Sequence, residues 1–166
     1  TNFPRVETLL IESTYGAKED IQPTREEVEA AFIKSVNETL SQGGKVLIPI
    51  PAVGRAQELM MVIDKYMKSG QMTESSVFME GMIQEATAIH EAHPEYLERT
   101  LRQKILETDD NPFDSEYFTN IEHADGRDEP LREDSPCIII ATSGMLEGGP
   151  VLEYFRNLAP DKRNKI

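Results

Sequence analysis

The chain has 166 residues, of which 28% are charged and 39% hydrophobic, a balance that suits one folded domain and excludes a disordered segment. Thirty acidic residues against 17 basic ones give a net charge of −13, which argues against a domain that grips nucleic acid through a broad basic face. A single cysteine, Cys137, leaves no partner for an intrachain disulfide and points to a cytoplasmic setting, and no apolar run approaches the roughly 20 residues that cross a bilayer. The chain starts at Thr1 rather than Met and stops at Ile166 where a new apolar run could begin, so it reads as a piece of a longer protein.

Residues 6–11 read as a short apolar strand ending in Glu12-Ser13-Thr14-Tyr15-Gly16. A carboxylate at the carboxyl end of a strand is where α/β enzymes place catalytic groups, while the plainer reading makes Glu12 a solvated loop acid or a cap. Thr24 followed by Glu27 forms a capping box that opens a helix with Val28, Ala31, Phe32, Val36 and Leu40 on its apolar face, ended by Gly43-Gly44. Residues 45–50 give a buried strand in which Pro49 implies an edge, a bulge or an early stop. The loop 51–55 leads to a second amphipathic helix with Leu59, Met60, Ile63, Tyr66 and Met67 inward. Arg55 sits at its start, where a cation opposes the helix dipole. Either it pairs with Glu12 or a phosphate, or it simply faces solvent.

A third strand spans residues 76–79, with Glu80-Gly81 as the turn and a helix over 82–92. His90 and His93 lack the further ligands a metal site needs and read as ordinary helix-end histidines. A charged helix over 94–105 follows. Residues 109–132 are polar, with one possible strand at 117–121, and the acid run Asp125, Asp128, Glu129, Glu133, Asp134 reads as a solvated connection. His123 has no evident partner there.

Residues 137–140, Cys-Ile-Ile-Ile, form a continuous apolar run between Pro136 and a glycine-rich loop, as in a strand buried on both faces of a parallel sheet. Pro150 then suits the first turn of a helix. The loop 143–149 has free N–H groups near a helix N-terminus and could cradle an anion, or it is merely a tight connection; it is not a P-loop. Strands alternate with helices throughout. The expected fold is therefore α/β, a mostly parallel sheet with helices on both faces in Rossmann-like layering. Its carboxyl edge should bring together Glu12, the 51–55 loop, Glu80-Gly81 and the 143–149 loop.

Three blocks carry a resemblance: Ile11-Glu12-Ser13-Thr14-Tyr15-Gly16; Gly43-Gly44-Lys45-Val46-Leu47-Ile48-Pro49 with Gly54-Arg55-Ala56-Gln57-Glu58-Leu59; and Ala141-Thr142-Ser143-Gly144-Met145. Together they resemble the β-CASP family, metallo-β-lactamase-fold nucleases with an inserted β-CASP domain, and within it the archaeal relatives of the endonuclease subunit of the cleavage and polyadenylation specificity factor. The resemblance implies that residues 1–16 are the last strand of the metallo-β-lactamase domain and that 17–166 form the β-CASP domain. It implies a parent ribonuclease for RNA 3′-end processing or decay, with two zinc ions activating a water against an RNA phosphodiester. Glu12 matches the acidic residue that hydrogen-bonds a catalytic-site histidine. Ser143 would donate its hydroxyl to an RNA phosphate, the N–H groups of Gly144 and Met145 would complete the cradle, and Arg55 would be the best local positive charge. The His-x-His-x-Asp-His signature and the later histidine motifs are absent, so the chain alone is expected neither to hold zinc nor to cut RNA. The implied partners are RNA and the metallo-β-lactamase domain of the same chain; a homodimer of the parent stays open, and no membrane is expected. Two other readings remain: a non-catalytic RNA-binding or scaffold relative, and a nucleotide-binding α/β domain, for which the Gly-x-Gly-x-x-Gly loop is missing.

Overall fold

A computed structural model describes residues 5–108, 110–132 and 134–166. Residues 1–4, the start of the expected first strand region, and Asp109 and Glu133 of the polar stretch lie outside the described residues.

Four short strands, β1 (Val46–Pro49), β2 (Val77–Glu80), β3 (Phe118–Ile121) and β4 (Ile138–Ala141), form one sheet in the order β1-β4-β2-β3. Every pairing is parallel, with Val46 and Val77 both opposite Ile138 and Val77 opposite Phe118. The apolar run of β4 is explained by its central place: Ile138, Ile139, Ile140 and Ala141 are all fully buried. Burying each isoleucine contributes about 1.5–3 kcal/mol, and two faces must be filled.

Alternate residues divide the core cleanly between the two faces, as the pleat requires. Val46, Val77, Met79, Ile138 and Ile140 join one cluster with Val36 and Leu40 of α1 (Arg25–Ser41), Met60, Ile63 and Met67 of α2 (Arg55–Lys68), and Ile83 of α3 (Ile83–Ala92). Leu47, Phe78, Cys137, Ile139 and Ala141 face the other way; α4 (Arg99–Glu107) and α5 (Asp128–Arg132) intervene in the chain before α6 (Val151–Leu158), which covers them with Val151, Tyr154 and Leu158. Helices on both faces of a parallel sheet are thus present as expected.

Local signals place the boundaries. Thr24 accepts from the Glu27 N–H at 3.3 Å while the Glu27 carboxylate accepts from the Thr24 N–H at 2.8 Å, so the capping box is formed. Gly43, at φ 72°, takes the left-handed conformation that ends α1. Along β1 the N–H groups of Val46 and Ile50 point to β4, whereas that of Leu47 points outward to the Lys165 carbonyl at 2.8 Å. Pro49 therefore turns its donorless nitrogen to the outer edge, where the β1–β4 ladder asks nothing of it.

Three expectations need correction. Residues 6–11 form no strand here; Leu9, Leu10 and Ile11 are exposed, Leu10 at 98%, because no described strand lies beside them to complete a ladder. The inward face of α1 runs through Ile33, Val36, Thr39 and Leu40, not through Val28 and Ala31, which are exposed. The 94–105 helix is two pieces, a 3-10 turn at Pro94–Tyr96 and α4, since the Leu97 backbone is extended (ψ 162°) and Glu98 caps the second piece through the N–H of Thr100 at 2.9 Å.

Candidate functional site

At the carboxyl edge of the sheet, the loop after β1 leads into α2 on one face and the loop after its neighbour β4 leads into α6 on the other. A crevice between diverging loops is where open α/β sheets bind ligands. Close packing fixes the walls. A Cβ added to Gly144 would lie 2.8 Å from Pro51 Cδ, so the 143–149 loop rests on the loop after β1. Gly81, at φ 96°, lies against Thr142; an added Cβ would fall 2.0 Å from the threonine Oγ1. Three of the four segments expected at this edge are therefore brought together.

The 143–149 loop is closed by its own bonds. Ser143 N–H donates to the Gly148 carbonyl at 3.3 Å, Leu146 N–H to the Ser143 carbonyl at 3.3 Å, and Val151 N–H to the Thr142 carbonyl at 3.1 Å. Ser143 Oγ reaches only the Gly148 carbonyl at a long 3.4 Å, which leaves the hydroxyl able to turn to a better acceptor. The N–H groups of Gly144 and Met145 have no acceptor among the described residues. Met145 is exposed, and the first turn of α6 follows within a few residues. Two open amides and a weakly held hydroxyl beside a helix N-terminus can hold an anion oxygen.

Glu12 does not join this group. It lies in the exposed leading segment and accepts from Thr14 N–H at 2.6 Å. The Thr14 side chain and N–H together hold its carboxyl below the ordinary range. Arg55 is exposed and pairs neither with Glu12 nor with another segment of the edge; its Nη1 meets Glu58 Oε2 at 2.8 Å, one turn along α2. That partner also offsets the unfavourable dipole at the helix start. His90 Nδ1 lies 2.7 Å from the Ala86 carbonyl and His93 3.3 Å from Glu95, the ordinary roles expected of them.

Sequence reasoning missed the strongest electrostatic feature of this edge. Glu80 is not a turn residue but the last residue of β2, buried, and ion-paired with Arg127 from the stretch expected to be a solvated connection. Arg127 Nε donates to Glu80 Oε1 at 2.8 Å and Oε2 at 2.9 Å, and Tyr154 Oη donates to Oε2 at 2.7 Å. Arg127 also pairs with Glu153 on α6. An acid closing a fully apolar strand was the available signal, because a buried carboxylate requires a counter-charge.

A mainly apolar cavity of about 610 Å³ adjoins the loop after β1, lined by Val28 and Phe32 of α1, Ile48, Ile50, and Leu59 of α2, with Arg25 and Arg55 also in its lining. Among the described residues, no group of three or more His, Cys, Asp and Glu side chains is placed to hold a metal ion, and no helix is long and apolar enough to cross a membrane.

The model of the Beta-Casp domain matches residues 56–166, about two thirds of the chain. The chain belongs to the Beta-Casp family. The match begins at the first turn of α2 and takes in β2, β3, β4, α6 and the 143–149 loop, so the fold expected from the resemblance is the fold found. Over 99% of its length the chain is 82% identical to the transcription termination factor FttA of Cenarchaeum symbiosum. It is 53% identical to the protein of that name in Methanocaldococcus jannaschii, again over 99% of its length, and 50% identical over its whole length to that of Thermococcus kodakarensis. The chain spans about a quarter (26%) of the length of each of these archaeal relatives.

Proposed function

We propose that this chain forms one wall of an RNA-binding cleft in a longer, ribonuclease-type protein acting at RNA 3′ ends, in processing, decay or termination. The 143–149 loop seats a backbone phosphate. The observation that carries this reading is the pair of open amides at Gly144 and Met145, beside the Ser143 hydroxyl and the start of α6, at the sheet edge where the connections diverge. The relatives' name, transcription termination factor, supports a substrate that is an RNA near its end.

In this reading the leading segment through Gly16 completes a metallo-β-lactamase domain of the same chain, which would cover the exposed Leu9, Leu10 and Ile11 and bring Glu12 to its centre. The two zinc ions that the family reading implies do not fit the described residues, which offer no converging ligand set. They would be held by the rest of the longer protein, and the contribution of these 166 residues is to bind and orient RNA. Arg55 adds positive charge at the rim only when RNA phosphate displaces Glu58 from it.

The test is RNA affinity in the full-length protein. Ser143→Ala should weaken binding of a short single-stranded RNA about tenfold, the worth of one hydrogen bond to a charged group, with the native fold kept. Unchanged affinity in a folded Ser143→Ala protein rejects the cradle. Tight RNA binding with no cleavage by the zinc-loaded full-length protein would favour the non-catalytic RNA-binding relative instead.

A further inference from the structure

Glu80 is only 7% exposed, a rare place for a carboxylate, and its bonds run in two directions. Its backbone carbonyl accepts from Thr142 N–H at 3.3 Å, at the point where the chain leaves β4. Its side chain accepts from Tyr154 Oη at 2.7 Å, in the first turns of α6. Between these two points, Val151 N–H donates to the Thr142 carbonyl at 3.1 Å. The three bonds close a ring, Glu80 to Thr142 to α6 and back to Glu80, and the 143–149 loop leaves and re-enters through it. Arg127 supplies the counter-charge from outside the ring and steadies α6 a second time through Glu153. Tyr154 is fully buried, and burial first and the Glu80 carboxylate second push its phenol well above the usual range, so it remains a donor.

We propose that Glu80 is the positioning residue of the phosphate loop: one residue at the end of β2 sets where the loop begins and where the helix behind it points. The proposal rests on the reading of residues 143–149 as a phosphate cradle. The bond from Thr142 continues the β2–β4 ladder and would form with any residue at 80, so the part specific to Glu80 is its side chain: the Tyr154 bond ties the end of β2 to the helix that follows the loop. Because the open amides of Gly144 and Met145 gain from an anion only when held at a fixed spacing, a small tilt of α6 relative to β4 should cost affinity before it costs the fold.

The experiment measures affinity of the full-length protein for a short single-stranded RNA by fluorescence anisotropy, in Tyr154→Phe, Glu80→Ala, Glu80→Gln and Ser143→Ala, with thermal unfolding recorded for each. Tyr154→Phe removes one hydroxyl from the ring and should weaken binding about three- to tenfold at a temperature where the protein remains fully folded. Glu80→Ala should weaken it at least as much, and Glu80→Gln, which keeps an acceptor for Tyr154, should recover most of that loss. Should Glu80→Ala fail to fold, Tyr154→Phe carries the test alone. Wild-type affinity in folded Tyr154→Phe while Ser143→Ala loses binding overturns the proposal and leaves the cradle standing. Equal losses in Glu80→Gln and Glu80→Ala overturn it too, since charge and not the ring would then matter. If Ser143→Ala binds normally, the cradle itself is refuted and the positioning role falls with it.

Discussion

Arg127→Met isolates the energetics of the buried charge at the end of β2. The side chain makes three contacts to Glu80, from Nε to both oxygens and from Nη2 to Oε1, while Glu80 stays buried. Removing one partner of a fully buried pair costs about 3–5 kcal/mol. Here the Arg127 side chain is 19% exposed, so water can reach the space it leaves. Tyr154 also keeps one bond to the carboxylate. The expected loss is therefore about 2–3 kcal/mol. With 166 residues at about 2.1 cal/mol/K each, the unfolding entropy is about 0.35 kcal/mol/K, and Tm should fall by about 6–9 °C. Thermal and urea denaturation followed by circular dichroism read this directly. Adding Glu80→Gln in the Arg127→Met background removes the stranded charge and should restore part of the loss, a coupling that a double-mutant cycle measures. A loss below about 1 kcal/mol in Arg127→Met, or a double variant no more stable than the single one, refutes the reasoning.

Other substitutions test the remaining claims. Gly144→Ala places a methyl 2.8 Å from Pro51 Cδ and should cost about 1–3 kcal/mol by overpacking, whereas Gly148→Ala, with no atom within 4 Å of the new methyl, should stay within about 0.5 kcal/mol; paired urea titrations decide it. Thr24→Ala deletes the capping-box acceptor and should lower stability by about 1 kcal/mol in the same assay. Glu29, hydrogen-bonded by Arg25 and Tyr66, has its pKa lowered from 4.5 to about 2. Because the folded value lies below the unfolded one, its stabilisation is full above about pH 4.5 and is lost as pH falls towards 2. Glu29→Gln should therefore flatten the fall of Tm between those values, and an unchanged slope would count against the pair.

What could be read from the sequence was whatever depends on near neighbours in the chain. Residues 137–140 declare a central strand because a strand buried on both faces must be apolar throughout, and the Thr24 and Glu27 spacing declares a helix start because the capping box closes within one turn. Pro49 implied an edge, a bulge or an early stop, and the edge is what the hydrogen bonds show, with its nitrogen facing away from β4. The face of α1 was harder. The expected stripe holds at Val36 and Leu40, which are buried, and at Phe32, which packs in part, but the first turns of the helix leave Val28 and Ala31 exposed and Ile33 takes the inward place instead. Residues 6–11 have the composition of a strand, but pairing belongs to a partner and not to the segment. Arg127 was the clearest failure. It lies 47 positions after Glu80 in a run of acids, and nothing local separates an arginine that reaches a buried carboxylate from one that faces water.

The acidity that argues against a broad basic face for nucleic acid is reinforced by how several of the arginines are placed. Arg55 is paired with Glu58, Arg25 with Glu29 and Glu58, Arg127 with Glu80 and Glu153, and Arg163 with Asp161. Cations already paired within the chain are poor donors of counterion-release affinity, because each phosphate contact must first break an existing ion pair. What the described residues of the carboxyl edge leave available in the 143–149 loop is neutral: the amides of Gly144 and Met145, which have no acceptor, and the Ser143 hydroxyl, held only by its long 3.4 Å bond to the Gly148 carbonyl. Neutral donors held at a fixed spacing add little long-range attraction, but they discriminate a correctly placed phosphate from a displaced one, as phosphate contacts that set register do. On the proposed reading, a chain of net charge −13 would contribute placement, and the attraction that brings RNA to the cleft would come from the rest of the longer protein. If that division of labour holds, the positioning of the 143–149 loop through the ring of Glu80 and Tyr154 is what this chain would contribute to the proposed cleft.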